Sequence, residues 1–221
     1  MKLFTGDIEL AHDSEFPPVI DQLIKEHNPL SIVETGTHKG TGSTLKLAQT
    51  GLPVFTIECN QEYFDVAKDN LSYYKNVSCI HGYSLPLKTM KEFIRNDSFY
   101  GDNKDLDIQV DDLHDPKEFY LKELGDNANL VDDLLIKYAG NNTKQIILLD
   151  SAGGVGYLEY KILMDFLLDK GWEGSKILVL DDILHVKHYR SIQDLKKRFG
   201  ESIFHQAPSG RWGWAVLKDH K

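Results

Sequence analysis

Five short apolar runs, rich in β-branched residues and separated by glycine-bearing loops and helical segments, constrain this chain more than any other feature. They fall at residues 31–34, 54–58, 77–81, 145–150 and 176–180. The fourth is continuously apolar between its first and last residues, as expected of a strand covered on both faces. Residues 44–50, 61–74 and 157–170 read as helices; in the second, Tyr63, Val66, Ala67 and Leu71 recur near the helical period. A basic helix is expected over 186–199. The segments 202–207 and 212–218, around Pro208-Ser209-Gly210-Arg211, then read as a hairpin. Strands alternating with helices imply right-handed crossovers and a mostly parallel sheet. The expected fold is therefore α/β, with five parallel strands closed by an antiparallel hairpin, seven in all. Such a sheet binds its ligand beyond the carboxyl ends of its strands, which singles out the loops that follow the five runs.

One segment interrupts the alternation. Between Asp97 and Asp133 stand 12 acids and 3 bases, so this 37-residue stretch carries the whole formal charge of −9, and the rest of the chain balances at 22 acids and 22 bases. It lies between the third and fourth expected strands, where one helix would suffice, and reads as an insertion, 97–133, within a single domain of 221 residues. Inside it, 117–124 and 130–138 have helical character. A lid over the ligand or a lobe facing a partner are its two expected roles. With no basic surplus elsewhere, a nucleic-acid-coating surface is not expected, because phosphate binding draws on clustered Lys and Arg. Two cysteines, Cys59 and Cys79, support neither a disulfide framework nor a Cys-rich zinc site. No run approaches the roughly 18 apolar residues of a membrane span, and residues 1–11 lack the apolar core of a secretion signal. A cytoplasmic location away from membranes is expected, with a homo-oligomer allowed.

After the first run comes Glu34-Thr35-Gly36-Thr37-His38-Lys39-Gly40. A glycine directly after a strand permits a tight turn and close ligand approach, and the helix start beyond it offers N–H groups. A phosphate loop of the Walker type needs Gly-Lys-Ser/Thr, whereas Gly42-Ser43-Thr44 lacks the lysine. Glu58 ends the second run, 24 residues after Glu34, where an acid can accept hydrogen bonds from a ribose hydroxyl pair. Glycine loop, spacing and strand context together place a nucleoside across the first two loops.

Ile32-Val33-Glu34-Thr35-Gly36-Thr37, with Glu58 after the second strand, resembles the cofactor site of class I S-adenosylmethionine-dependent methyltransferases, and the resemblance covers the five strands and the hairpin. It implies a Rossmann-like fold with S-adenosylmethionine as cofactor. In that family the first-loop glycines pack near the methionine portion, the acid after strand two holds the ribose, and residues after strand three flank the adenine. Those roles fall on Glu34, Gly36, Thr37, Gly40, Glu58 and the His81-Gly82-Tyr83-Ser84 turn, where Gly82 and Ser84 are the cofactor candidates. The first loop departs from the family in lacking the middle glycine, and Tyr83 stands where many members carry an acid toward the adenine amino group.

Asp150 ends the fourth strand and Asp181-Asp182 follow the fifth. Adjacent strands lie about 4.8 Å apart, so the three carboxylates can converge, and they repel unless a proton or a cation intervenes. Mg²⁺ takes such an oxygen-only ligand set. The pattern resembles metal-dependent O-methyltransferases of the macrocin O-methyltransferase and cephalosporin-hydroxylase-like group, which implies that Asp150, Asp181 and Asp182 hold a divalent ion. Alternatively, Asp181 or Asp182 caps a helix and Asp150 only orients the methionine amino group. His185 and His188, three residues apart, share a face if the helix has begun. A neutral imidazole can take a hydroxyl proton, so His185 is the expected base, beside Asp150 as a catalytic residue, and His188 either a substrate contact or a support behind the residues that touch substrate. The alternative has both histidines facing solvent in a basic segment. His38 is a rival base. Trp212 and Trp214 read as packing residues, and Gly153, Gly154 and Gly156 as a flexible turn.

The function expected is methyl transfer from S-adenosylmethionine to a hydroxyl of a small metabolite or sugar, with metal assistance. The alternative is a non-catalytic nucleoside-binding or regulatory protein on the same scaffold. An NAD-dependent oxidoreductase is disfavoured by Gly-x-x-x-Gly in place of Gly-x-Gly-x-x-Gly and by the terminal hairpin.

Overall fold

Residues 1–3, 10, 13–102, 105–141, 143–151 and 154–219 are described by the computed structural model. In chain order the elements are β1 (Lys2–Leu3), α1 (Phe16–His27), β2 (Ser31–Thr35), α2 (Ser43–Gln49), β3 (Val54–Glu58), α3 (Gln61–Asn70), β4 (Val77–His81), α4 (Leu87–Asn96) and α5 (Phe99–Asp102). They continue with β5 (Gln109–Val110), α6 (Pro116–Leu124), α7 (Leu134–Ala139), β6 (Gln145–Leu149), α8 (Gly156–Lys170), β7 (Lys176–Leu180), α9 (Tyr189–Phe199), β8 (Phe204–Gln206) and β9 (Gly213–Leu217). The main sheet has seven strands in the order β4-β3-β2-β6-β7-β9-β8. The five from β4 to β7 in that order are parallel, and β9 runs antiparallel to both β7 and β8. The expected α/β sheet with its closing hairpin is the one observed.

Every residue of β6 and β7 is buried. Successive residues point to opposite faces, and both faces are covered. On one face Val33, Ile147, Leu149, Leu178 and Leu180 pack with Met90 and Ile94 of α4 and Leu163 and Met164 of α8. On the other, Ile32, Ile146, Leu148, Ile177 and Val179 pack with Phe16, Ile20 and Leu23 of α1 and Leu47 of α2. Full burial of such a side chain contributes roughly 1.5–3 kcal/mol, so α1 and α4, which the apolar pattern did not announce, are held mainly by this packing. The first turn of α1 contains Pro17 and Pro18, whose fixed φ suits a helix start.

Several boundaries differ from expectation, among them the helix expected over 61–74, which ends at Asn70. The basic helix begins at Tyr189, because Asp182 takes a left-handed backbone (φ 49°) and turns follow, with His185 N to Asp182 O at 2.9 Å and His188 N to His185 O at 3.1 Å. Within 130–138 the helix starts only at Leu134. A 3₁₀ turn, Glu201–Ile203, precedes β8.

The acidic insertion is bound into the fold at several points. Tyr100, Ile108, Val110, Tyr120 and Leu124 join the same core as Val33 and Leu149. β5 pairs in parallel with β1, and Gln109 exchanges backbone hydrogen bonds with the loop after β7, donating to Leu184 O at 2.9 Å and accepting from Val186 N at 3.0 Å. At its start, Arg190 of α9 forms a two-pronged ion pair with Asp97 and lies 4.3 Å from the Phe99 ring centroid and 4.2 Å from that of Tyr157. At its end, Tyr83 N donates to Val131 O at 2.8 Å and Leu135 N to Ser84 O at 2.8 Å.

Strand register sets the site. Thr35 lies beside Ile57 and Leu149, and Leu149 beside Leu180. Gly36, Glu58, Asp150 and Asp181 therefore leave the sheet at one level, along a single carboxyl edge.

Candidate active site

A cavity of about 500 Å³ opens above that edge. Gly36, Thr37, Glu58, Gly82, Ser84, Asp150, Asp181, Asp182 and His185 all line it, so nine residues singled out from separate loops meet in one place. Gly36 has φ 85°, and a Cβ there would lie 2.2 Å from the Asp150 carbonyl oxygen, so only glycine lets the first loop cross the end of β6. Glu58 Oε2 accepts the backbone N–H of His38 at 2.7 Å and Oε1 that of Asn60 at 2.8 Å. Burial raises its pKa above the ordinary carboxylate value, and these backbone donors oppose the rise. His38 lines the cavity with its ring edge-on to Tyr63, centroids 4.3 Å apart.

Two cofactor candidates and one histidine turn away from the cavity. Glu34 is fully buried beneath the loop, where its carboxylate accepts hydroxyl hydrogen bonds from Ser43, Thr44 and Thr56 at 2.6–2.7 Å. It braces the loop from below, because β2 points its side chain to the helix-covered face. Gly40 faces Leu71 and Ala67, where a Cβ would come within 2.8 Å of the Leu71 side chain; it allows the loop to pack on α3. His188, expected at the substrate, behind it or in solvent, is buried with Nε2 3.0 Å from Leu149 O and Nδ1 3.3 Å from Ser191 Oγ. Burial, with the nearby Lys187 charge, pushes its pKa down to about 3, so it stays neutral. Of the three glycines after Asp150, Gly153 lies outside the described residues. Gly154 meets the Tyr120 ring and Gly156 the Lys187 side chain. Trp212 is buried and its indole N–H donates to Asp13 at 2.8 Å, a packing role.

The acids after β6 and β7 form one cluster: one oxygen from each of Asp150, Asp181 and Asp182 lies within 4.8 Å of the others. Lys187 is wedged among them, its Nζ donating to Asp150 Oδ1 at 2.8 Å and to Asp182 Oδ2 at 3.1 Å. Arg211 donates to Asp181 Oδ2 and Asp182 Oδ1, both at 3.2 Å. Burial raises Asp150 despite Lys187, and the neighbouring Asp182 adds to the rise. Burial together with Asp150 and Asp182 raises Asp181 well above the carboxylate range. Burial would raise Asp182 too, but Lys187 and Arg211 outweigh it and hold the group low. Asp181 Oδ1 is buried without a hydrogen-bond partner among the described residues.

Several groups in the cavity or behind its wall were not anticipated from the sequence. Lys187 belongs to a run that reads as a solvated basic helix, and Arg211 to a turn. Glu159 of α8, fully buried, accepts from Thr35 Oγ1 at 3.1 Å and Ser151 Oγ at 2.6 Å and so fixes the loop beside Asp150. From the insertion come Asp111, Glu123 and Leu124. Asp111 Oδ2 lies 3.3 Å from His185 Nε2, and Tyr120 OH lies 3.5 Å from the same nitrogen. Their only advance signal was the acidity of the stretch, which says nothing about where it docks.

No family model matches the chain, and no curated protein matches it by sequence. Solved structures do. The O-methyltransferase from Bacillus cereus in complex with SAH aligns over 98% of this chain and 84% of its own, at 14% identity and a TM-score of 0.53. The cofactor-bound Rv0187 from MTB aligns over 97% of this chain and 82% of its own, at 15% identity and a TM-score of 0.51. The sheet order, the hairpin and these alignments agree: the chain has the Rossmann-like fold of the class I methyltransferases.

Proposed function

We propose that this chain is an S-adenosylmethionine-dependent O-methyltransferase acting on a small hydroxyl-bearing molecule. The observation that carries the reading is the meeting of Gly36, Glu58, Gly82 and Asp150 around one cavity at the carboxyl edge of a methyltransferase-type sheet. Glu58 keeps lone pairs free on both oxygens after its two backbone hydrogen bonds, which suits a ribose diol. Gly36 lets the first-loop backbone lie against the end of β6, beside the methionine portion, and Gly82 and Ser84 border the adenine side. Bound S-adenosylmethionine supplies an electrophilic methyl group on a sulfonium. The chain's part is to hold the acceptor oxygen in line with that methyl group, exclude water and receive the hydroxyl proton.

A divalent ion such as Mg²⁺ fits the cluster of Asp150, Asp181 and Asp182, because the donors are all oxygen and Asp181 Oδ1 is buried without a partner. Held there, the ion would lower the pKa of an acceptor hydroxyl. Lys187 occupies two of the same carboxylates and would have to yield part of its contacts. The insertion, which borders the cavity with Asp111, Glu123 and Leu124, is read as the acceptor-side cover. Among the described residues no helix is long and apolar enough to cross a membrane.

Calorimetric titration with S-adenosylmethionine tests the reading. Saturable binding is expected, followed by methyl transfer to a hydroxyl compound. The absence of heat across a wide concentration range would overturn it.

A further inference from the structure

Methyl transfer to a neutral hydroxyl releases a proton, and the groups around the cavity differ in their freedom to take it. His185 faces Asp111 with Nε2, at 3.3 Å, while its Nδ1 accepts the backbone N–H of Lys187 at 3.3 Å. Both ring nitrogens are thus engaged by the protein, which weakens the expectation that His185 is the base. Asp150 and Asp182 hold Lys187, Asp181 and Asp182 hold Arg211, and Glu58 accepts two backbone N–H groups. Among the described residues, Glu123 is the cavity-lining carboxylate left with neither an ion pair nor a hydrogen bond. It sits on the last turn of α6, and the carbonyl of the next residue, Leu124, accepts the Tyr83 hydroxyl at 3.2 Å. One turn earlier on the same helix, Tyr120 packs on Gly154, beyond Asp150. The helix is therefore held at both the β4 and the β6 loops, with Glu123 between them.

We propose that Glu123, supplied by the acidic insertion, is the catalytic base that takes the acceptor's hydroxyl proton. This rests on the reading of the cavity as a methyl-transfer site. In the step, a lone pair of the acceptor oxygen forms the new O–C bond and the S–C bonding pair returns to sulfur, leaving a neutral thioether. The O–H bonding pair stays on oxygen and the proton passes to a Glu123 carboxylate oxygen, so the negative carboxylate and the positive sulfonium are both neutralised. Glu123 is exposed as a residue, yet partial desolvation of its carboxyl raises the pKa to about 7; Asp111 adds to the rise and Lys187 opposes it. A base so poised is partly ionised near neutral pH and stronger than an ordinary carboxylate.

Carboxyl ¹³C labelling of glutamate in the full chain, with Glu123→Gln to assign the resonance, should give a Glu123 titration midpoint near 7. A midpoint at the ordinary value of about 4.3 overturns the proposal. With saturating S-adenosylmethionine, Mg²⁺ and catechol as probe acceptor, Glu123→Gln should lower kcat by about 100-fold or more and flatten the rise of rate with pH. The KM for S-adenosylmethionine should stay within about twofold, and Glu123→Asp should recover part of kcat. Undiminished kcat in Glu123→Gln, or a fall explained by equal loss of cofactor binding, overturns the proposal. If the wild-type protein gives no heat with S-adenosylmethionine, the methyl-transfer reading fails instead, while the Glu123 midpoint is still read on its own.

Discussion

The ammonium of Lys187 lies 2.8 Å from Oδ1 of Asp150, enclosed in a cavity wall where only 5% of the lysine is exposed. Three carboxylates gathered at one sheet edge would repel one another, and Lys187 with Arg211 is the chain's own answer to that repulsion. Burial would lower the Lys187 pKa, but the charges of Asp150, Asp182 and Asp181 overcome it and keep the ammonium protonated.

Lys187→Met should leave Asp150 and Asp182 short of a counter-charge. Breaking a buried pair from one side costs about 3–5 kcal/mol, so a large drop in thermal midpoint is expected. Saturating Mg²⁺ should restore more of the midpoint in this variant than it adds to the wild-type protein, as read by differential scanning fluorimetry. Equal shifts in both would argue against a cation site at these acids.

Glu58→Ala should weaken S-adenosylmethionine binding without unfolding the chain. Hydrogen bonds to a charged group are worth about 1.5–3 kcal/mol, which corresponds to roughly 10- to 100-fold in the dissociation constant. Calorimetry on the variant measures this directly, and unchanged affinity would remove Glu58 from the cofactor site.

Gly154→Ala should loosen the insertion. The added Cβ would sit 2.5 Å from Tyr120 Cβ, so the ring and α6 must move. Overpacking of this kind costs about 1–3 kcal/mol. Limited proteolysis should show faster cleavage within 97–133 than in the wild-type protein.

Lys176 gives a pH test of the core. It is fully buried, donating to Gln145 Oε1 at 2.8 Å and to the carbonyls of Asn141 and Ala139 at 2.7 and 3.2 Å. Burial lowers its pKa from 10.5 to about 8. Below pH 8 both folded and unfolded states are protonated, and the folded state bears the full cost of a buried charge. Between pH 8 and 10.5 the unfolded chain holds the proton that the folded chain has released, so stability rises with pH. Relative to Lys176→Met, the wild-type protein should gain up to about 3 kcal/mol across that window in denaturant titrations. A flat difference would mean that Lys176 keeps an ordinary pKa.

The parts of the site that were legible in the sequence sit at strand ends. Gly36, Glu58, Gly82, Asp150 and Asp181 each lie at or just after the end of an apolar run, and a parallel sheet brings such positions to one edge whatever the helices do. Residues one or two steps further on were harder to place. The pattern left His188 at the substrate, behind it or in solvent; the turn at Asp182 delays the helix and sends that ring beneath Leu149. Lys187 looked like one base in a solvated basic run, because nothing local marks a lysine that will meet acids from β6 and β7. α1 and α4 escaped notice since their helical character matters less than the sheet faces they cover.

By itself the sequence determined the α/β class, the parallel strands with their closing hairpin and the chemistry at the strand ends, because these follow from side-chain periodicity and from what each loop begins with. Only the tertiary structure decided that Glu34 and Gly40 support the loop from behind, that Lys187 and Arg211 neutralise the acid cluster, and that Asp111 and Glu123 of the insertion reach the cavity. Those outcomes depend on where a distant segment docks, through contacts such as Arg190 with Asp97 and Tyr120 with Gly154, and no local pattern encodes them.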